Sequence, residues 1–114
     1  MTLVEQITWI DVCAVDDLDL DRGACALVGG RQIALFRVAP GGELYALSNH
    51  DPFSGAYVLS RGIVGSKGDI AKVASPVYKQ SFDLRTGRCL DEPAVAVATF
   101  PVRAVAGRVL VGVP

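Results

Sequence analysis

Side chains able to bind a metal, move a proton or act as a nucleophile are few here and unevenly placed. The chain has one histidine, His50, between Ser48-Asn49 and Asp51, and three cysteines, Cys13, Cys25 and Cys89, far apart in sequence. Ser48, His50 and Asp51 supply the residue types of a hydrolytic relay. Residues so close in sequence rarely converge in relay geometry, and no serine sits in a nucleophile-elbow pattern. His50 with Asp51 and Asp69 falls short of a non-haem iron triad, which needs two histidines. The cysteines contain no Cys-x-x-Cys pair, so they fit neither a zinc ribbon nor a disulfide framework. They read as reduced, buried structural thiols. No Gly-x-Gly-x-x-Gly follows a strand, which leaves nucleotide binding unsupported. On this reading the chain holds no catalytic residue and no metal site, and His50 packs or caps locally at a loop tip.

Whatever the chain does must then rest on the elements that present its surface. At 114 residues, 51% of them apolar, it has the size and composition of one packed domain, residues 1–114. A net charge of −1 argues against a nucleic-acid partner, which would want a basic face. The charge is nonetheless uneven. Residues 1–21 hold Glu5, Asp11, Asp16, Asp17, Asp19 and Asp21 without a lysine or arginine, so the rest carries all 11 basic residues. A solvated turn or an acidic docking edge both fit that segment. No apolar run reaches signal-peptide or membrane-helix length, so no membrane partner and a cytoplasmic location are expected.

The apolar pattern is that of strands. Ile7 to Cys13 makes a first one, and Val15 to Gly23 a polar loop with at most one helical turn. Ala24 to Val28 and Arg31 to Val38, separated by Gly29-Gly30, give a hairpin signal, and Glu43 to Leu47 completes a three-stranded meander. Ala56 to Leu59 fits a strand or a helical turn equally. Ile63 to Asp69 is rich in turn-formers, Ile70 to Ala74 reads as a strand, and Ser81 to Asp83 as its return. Val95 to Val105 is extended but interrupted by Pro101, which predicts an edge or bulge there. Arg108 to Val113 places Val109, Val111 and Val113 on one face.

Between the meander and the last strands lie two proline-containing loops, Asp51-Pro52-Phe53-Ser54-Gly55 and Ser75-Pro76-Val77-Tyr78-Lys79. Leu47-Ser48-Asn49 precedes them, Leu59-Ser60-Arg61-Gly62 separates them, and Phe82-Asp83-Leu84-Arg85-Thr86-Gly87 follows. Loop order, turn glycines and Phe82-Asp83 together resemble the cluster-binding region of a Rieske domain, and the similarity runs from Trp9 to Val113. In that family the first loop carries Cys-x-His and the second Cys-x-x-His. Asp51 and Phe53 stand here at the first pair of positions, and Ser75 and Tyr78 at the second. A Rieske centre needs two thiolates and two imidazoles, and a chain with one histidine cannot supply both imidazoles. The expectation is a retained pair of loops and no cofactor on this chain.

The resemblance implies an all-β fold, a Rieske-like antiparallel β-sandwich with a loop-bearing subdomain inserted at about residues 45–82. Within the family the chain is similar to the small subunits of assimilatory NAD(P)H-dependent nitrite reductases, which keep the fold without the cluster ligands. That similarity implies an accessory subunit of a cytoplasmic oxidoreductase reducing nitrite to ammonia in nitrogen assimilation. Its partner would be a large subunit carrying FAD, siroheme and an iron–sulfur cluster, and the isolated chain would be inactive. The alternative is a stand-alone Rieske-like protein-interaction or regulatory module; a neighbouring reading frame for a large siroheme subunit separates the two. Phe53 and Tyr78 are expected to fill the space between the loops, with Asp51 and Ser75 hydrogen-bonded across it. Tyr57, Tyr78 and Lys79, the last standing where the family usually has glycine, are the candidates for the partner interface.

Overall fold

Ile33, Ala34, Leu35 and Phe36 are consecutive and all buried, and the architecture follows from that run. Successive side chains of a strand point to opposite faces, so an unbroken buried run belongs to a strand covered on both sides. The computed structural model of the chain describes residues 6–114. Glu5, counted above in the acidic segment, lies outside the described residues. Strands β1 (Thr8–Ala14), β2 (Gly23–Val28), β3 (Arg31–Val38) and β4 (Glu43–Ser48) come before the loops or lead into them. Strands β5 (Ile63–Lys67), β6 (Ile70–Ala74) and β7 (Ser81–Asp83) surround the second loop. Strands β8 (Thr99–Phe100), β9 (Val102–Val105) and β10 (Arg108–Val113) close the chain. Helical content among the described residues is limited to the short 3-10 turns Val15–Asp17 and Leu59–Arg61, and no helix is long and apolar enough to cross a membrane.

Three antiparallel sheets result: a central one in the order β2-β3-β4-β8, one in the order β1-β10-β9, and one in the order β5-β6-β7. The alternation within β3 divides the core between the two faces of the central sheet. Ile33 and Leu35 join Val28, Ala46, Val109, Val111 and Val113 against the β1-β10-β9 sheet. Ala34 and Phe36 join Leu47, Leu59, Val73, Phe82 and Leu84 against the β5-β6-β7 sheet. The apolar run of β3 is therefore buried twice over, and the loops hang from the second of these two cores.

The turns follow the chemistry of their residues. Gly29 and Gly30 take φ of 57° and 79°, the left-handed pair that matches the twist of a two-residue hairpin, and β2 and β3 pair from Val28↔Arg31 outward. Pro101, which cannot donate to a ladder, marks the place where the chain changes sheets. Residues before it pair with β4 and residues after it with β10, while its own carbonyl accepts from Gly112 N–H at 2.8 Å.

Three readings of the sequence are amended. Ile63–Lys67, rich in turn-formers, is a strand: it is an edge, with Val64 packed against the core and its other residues exposed. The undecided Ala56 to Leu59 is neither alternative throughout, since Tyr57 forms an isolated bridge with His50 and Leu59 opens a 3-10 turn. The cysteines are all free, as expected, but only Cys89 is buried. Cys25 is exposed because β2 is the edge of the central sheet and its core-facing positions are Ala24 and Ala26.

Candidate functional site: a pair of twin loops

Residues 51–56 and 75–80 trace the same hydrogen-bonding plan twice. In each, a short polar residue opens the loop and the next is proline. Asp51 N–H donates to the Ala56 carbonyl at 2.8 Å, and Ser75 N–H to the Gln80 carbonyl at 2.9 Å. The Asp51 carbonyl accepts from Gly55 N–H at 2.8 Å, and the Ser75 carbonyl from Lys79 N–H at 3.0 Å. The opening side chain accepts from the amide two residues on: Phe53 N–H to Asp51 Oδ1 at 2.9 Å, Val77 N–H to Ser75 Oγ at 3.3 Å. These are the Asx and Ser turns by which short polar side chains substitute for backbone partners. The fifth residue of each loop is left-handed, Gly55 at φ 76° and Lys79 at φ 65°. Glycine accepts that conformation freely and lysine does not.

The twins meet at their opening residues. Ser75 Oγ donates to Asp51 Oδ2 at 2.6 Å, and Ser54 Oγ donates to the same oxygen at 2.9 Å. Asp51 and Ser75 are 0% and 1% exposed, so this is a buried charged link between two segments 24 residues apart. Burial pushes the Asp51 carboxyl up, but hydrogen bonds from Ser75, Phe53 and Ser54 outweigh it and hold the group below its usual range. The carboxylate is therefore ionised at neutral pH and committed to its donors.

Beneath the link, the Phe53 ring rests on Phe82 with centroids 6.1 Å apart, tying the first loop to the core. Buried Asn49 ties its other side: Oδ1 accepts from Ser60 N–H at 2.7 Å, and Nδ2 donates to the Tyr57 carbonyl at 3.1 Å and to Gln32 Oε1 at 3.3 Å. The structure thus brings together Asp51, Phe53 and Ser75, with the Asp51–Ser75 bond and the Phe53 packing as expected. Tyr78 departs from expectation. It is 63% exposed, because it holds the place that Ser54 has in the first loop, at an apex turned away from the core, and it fills no space. Tyr57 is exposed too, its ring tilted against His50 at 5.1 Å, and Lys79 is exposed. His50 packs locally, as its position suggested. Asn49 and Ser54 are the functional supports not singled out from sequence. The only signal for either is a short polar residue two positions before Asp-Pro or directly before Gly.

The family model described as a Rieske-like [2Fe-2S] domain matches residues 8–112. The chain is 39% identical over 95 residues to the nitrite reductase (NADH) small subunit of Escherichia coli K12, covering 83% of this chain and 88% of that one. It is 45% identical over 104 residues to a Klebsiella oxytoca protein named nitrite reductase [NAD(P)H] large subunit, a match covering 91% of this chain and 11% of that longer one. Among solved structures, a Mycobacterium tuberculosis protein provisionally named an NADH-dependent nitrite reductase small subunit superposes with a TM-score of 0.92 at 46% identity, covering 96% of this chain and 98% of that one. The ferredoxin of carbazole 1,9a-dioxygenase from Nocardioides aromaticivorans superposes at 0.79 with 27% identity, covering 91% and 96%.

These similarities correct one expectation. The reading of no cofactor on this chain rested on the four loop side chains and the single histidine, whereas the matching family is described by its [2Fe-2S] cluster and a ferredoxin shares the fold. An iron–sulfur cluster is what this type of domain typically binds. The residues at the four loop positions do not fit that group. The Asp51 carboxylate and Ser75 hydroxyl are bonded to one another, Phe53 has no lone pair, and Tyr78 offers a phenol facing solvent, where the centre uses thiolates and imidazoles.

Proposed function

This chain belongs to the Rieske-like [2Fe-2S] domain family, and from that premise we propose that it is the small accessory subunit of an NAD(P)H-dependent nitrite reductase. The observation that carries this reading is the similarity to curated small subunits over most of both chains. The Klebsiella relative adds to it: a protein named a large subunit contains this domain within its own polypeptide, as expected of two parts that work in contact. The reaction is nitrite to ammonia, in nitrate assimilation in the cytoplasm. The large subunit would hold FAD, siroheme and an iron–sulfur cluster, which would supply the redox chemistry. The chain acts as one domain, residues 1–114, into which the segment of about 45–82 is inserted. Asp51, Phe53, Ser75 and Tyr78 stand at the four places where the family's cluster ligands stand.

The loop end faces the large subunit through Tyr57, Tyr78 and Lys79. Supporting this are their exposure and the charge around them. Asp51 is buried there, while Arg61 and Lys79 are exposed. Aromatic and cationic residues of this kind carry binding energy at protein interfaces out of proportion to their number. Tagged chain purified from nitrate-grown cells is expected to bring the large subunit with it. Recovery of the chain alone, from cells shown to contain the large subunit, would favour the stand-alone module instead.

A further inference from the structure

Beyond the loop end lies an apolar strip that neither the loops nor the core accounts for. Two shallow depressions, about 430 and 370 Å3, adjoin one another and share Arg31, Ala98 and Phe100. The first reaches Leu27 and Tyr57, and the second Ile7, Pro101 and Pro114. Leu27 is 75% exposed, Tyr57 56% and Ile7 48%. Scattered exposed apolar residues need no explanation; here they share one face with Gln32, Ser48 and His50, a mixed surface of the kind that non-obligate interfaces use. Among the described residues neither depression is lined by an aspartate, glutamate or lysine side chain, and Arg31 is the one lysine or arginine along the strip. The strip also starts at an open sheet edge, because β2 pairs only with β3 and leaves its other edge uncovered.

We infer that this strip, running from Tyr57 over Leu27, Arg31 and Phe100 to the chain ends, seats the large subunit, through an apolar ridge that carries a carboxylate for Arg31. The inference rests on the reading above and extends it from the loop end along one side of the molecule. Two observations choose this occupant. In the Klebsiella protein the match covers 11% of the polypeptide, so the remainder is joined to this domain through one or both of its ends. In this fold both ends of the described chain come out at the strip: Thr8 pairs with Val113, and Ile7 and Pro114 line the same depression. The attached part therefore starts at this face, whichever end bears it. The charge agrees in the depression nearer Tyr57, where Arg31 is the one charged side chain among the described lining residues and can pair with an acidic side chain.

The test is a binding titration of the full chain against separately purified large subunit at two salt concentrations, with thermal melts as the folding control. Leu27→Asp is expected to weaken binding by at least about tenfold, as for a central interface anchor. Arg31→Glu weakens it too, more at low salt, where repulsion is least screened. Ile63→Asp, the same type of change at a residue 76% exposed on another sheet, leaves affinity unchanged. Wild-type affinity for both strip variants overturns the inference while the accessory-subunit reading stands. Equal weakening by Ile63→Asp overturns it as non-specific, and failure of the wild-type chain to bind overturns both readings together.

Discussion

The first loop looks inward and the second outward, although their backbones are hydrogen-bonded alike. Asp51 of the first is buried and Phe53 half-buried against the core, whereas Val77 and Tyr78 of the second are 43% and 63% exposed. One backbone plan thus serves two tasks. The first loop and the Asp51–Ser75 link hold the end of the domain together, and the apex of the second leaves its side chains exposed. The comparison shows that a shared backbone plan does not fix which way a loop's side chains face, and it can be broken by substitution.

The largest effect is expected at the shared link. Asp51→Ala strands the buried hydroxyl of Ser75 and the partly buried Ser54 hydroxyl and Phe53 amide, and leaving these donors unpaired should cost about 3 kcal/mol, read by denaturant melts. The same link has a pH signature. Because the folded-state pKa of Asp51 is lowered, its contribution is fully present above the unfolded value of about 4 and is lost as pH falls through the lower folded value. Acid melts of wild type should therefore show a loss below about pH 4 that Asp51→Asn lacks.

Next in size is the contrast between the aromatics. Phe53→Ala should cost about 2 kcal/mol, less than the 3–5 typical of a fully buried phenylalanine because its ring is half-buried on Phe82. Tyr78→Ala should stay within about 0.5 kcal/mol, as for a surface residue. Equal losses would mean that the second loop is structural as well.

Opposite signs are expected at the left-handed twins. Gly55→Ala strains φ 76° and should destabilise by about 1 kcal/mol, while Lys79→Gly relieves φ 65° and should stabilise by about 0.5 kcal/mol. If Lys79→Gly also weakens binding to the large subunit, the strain at Lys79 is retained for function. Lys79→Glu should leave folding unchanged and weaken that binding most at low salt.

Much of this was legible in the sequence, for local reasons. Gly29-Gly30 between two runs of β-formers can hardly be anything but a hairpin, and Val109, Val111 and Val113 alternate as a half-buried strand must. The partnership of Asp51 with Ser75 was also legible, because the family's loop order places them opposite one another. What stayed hidden depends on tertiary surroundings. Ile63–Lys67 is held as a strand by its pairing with β6, against the turn preference of Gly65 and Ser66. The outward turn of Tyr78 follows from a loop apex whose direction no spacing encodes. Cys25 is exposed because β2 happens to be an edge. The cofactor reading failed for a different reason, since four side chains and one histidine were weighed without the company the whole domain keeps.

The central claim is that this chain acts by completing a larger enzyme. Its most direct test is the rate of nitrite-dependent NAD(P)H oxidation by purified large subunit as the chain is titrated in. The account predicts no turnover by the chain alone, and a rate with the large subunit that rises and saturates as the complex forms. A large subunit equally active at every concentration of the chain would contradict it.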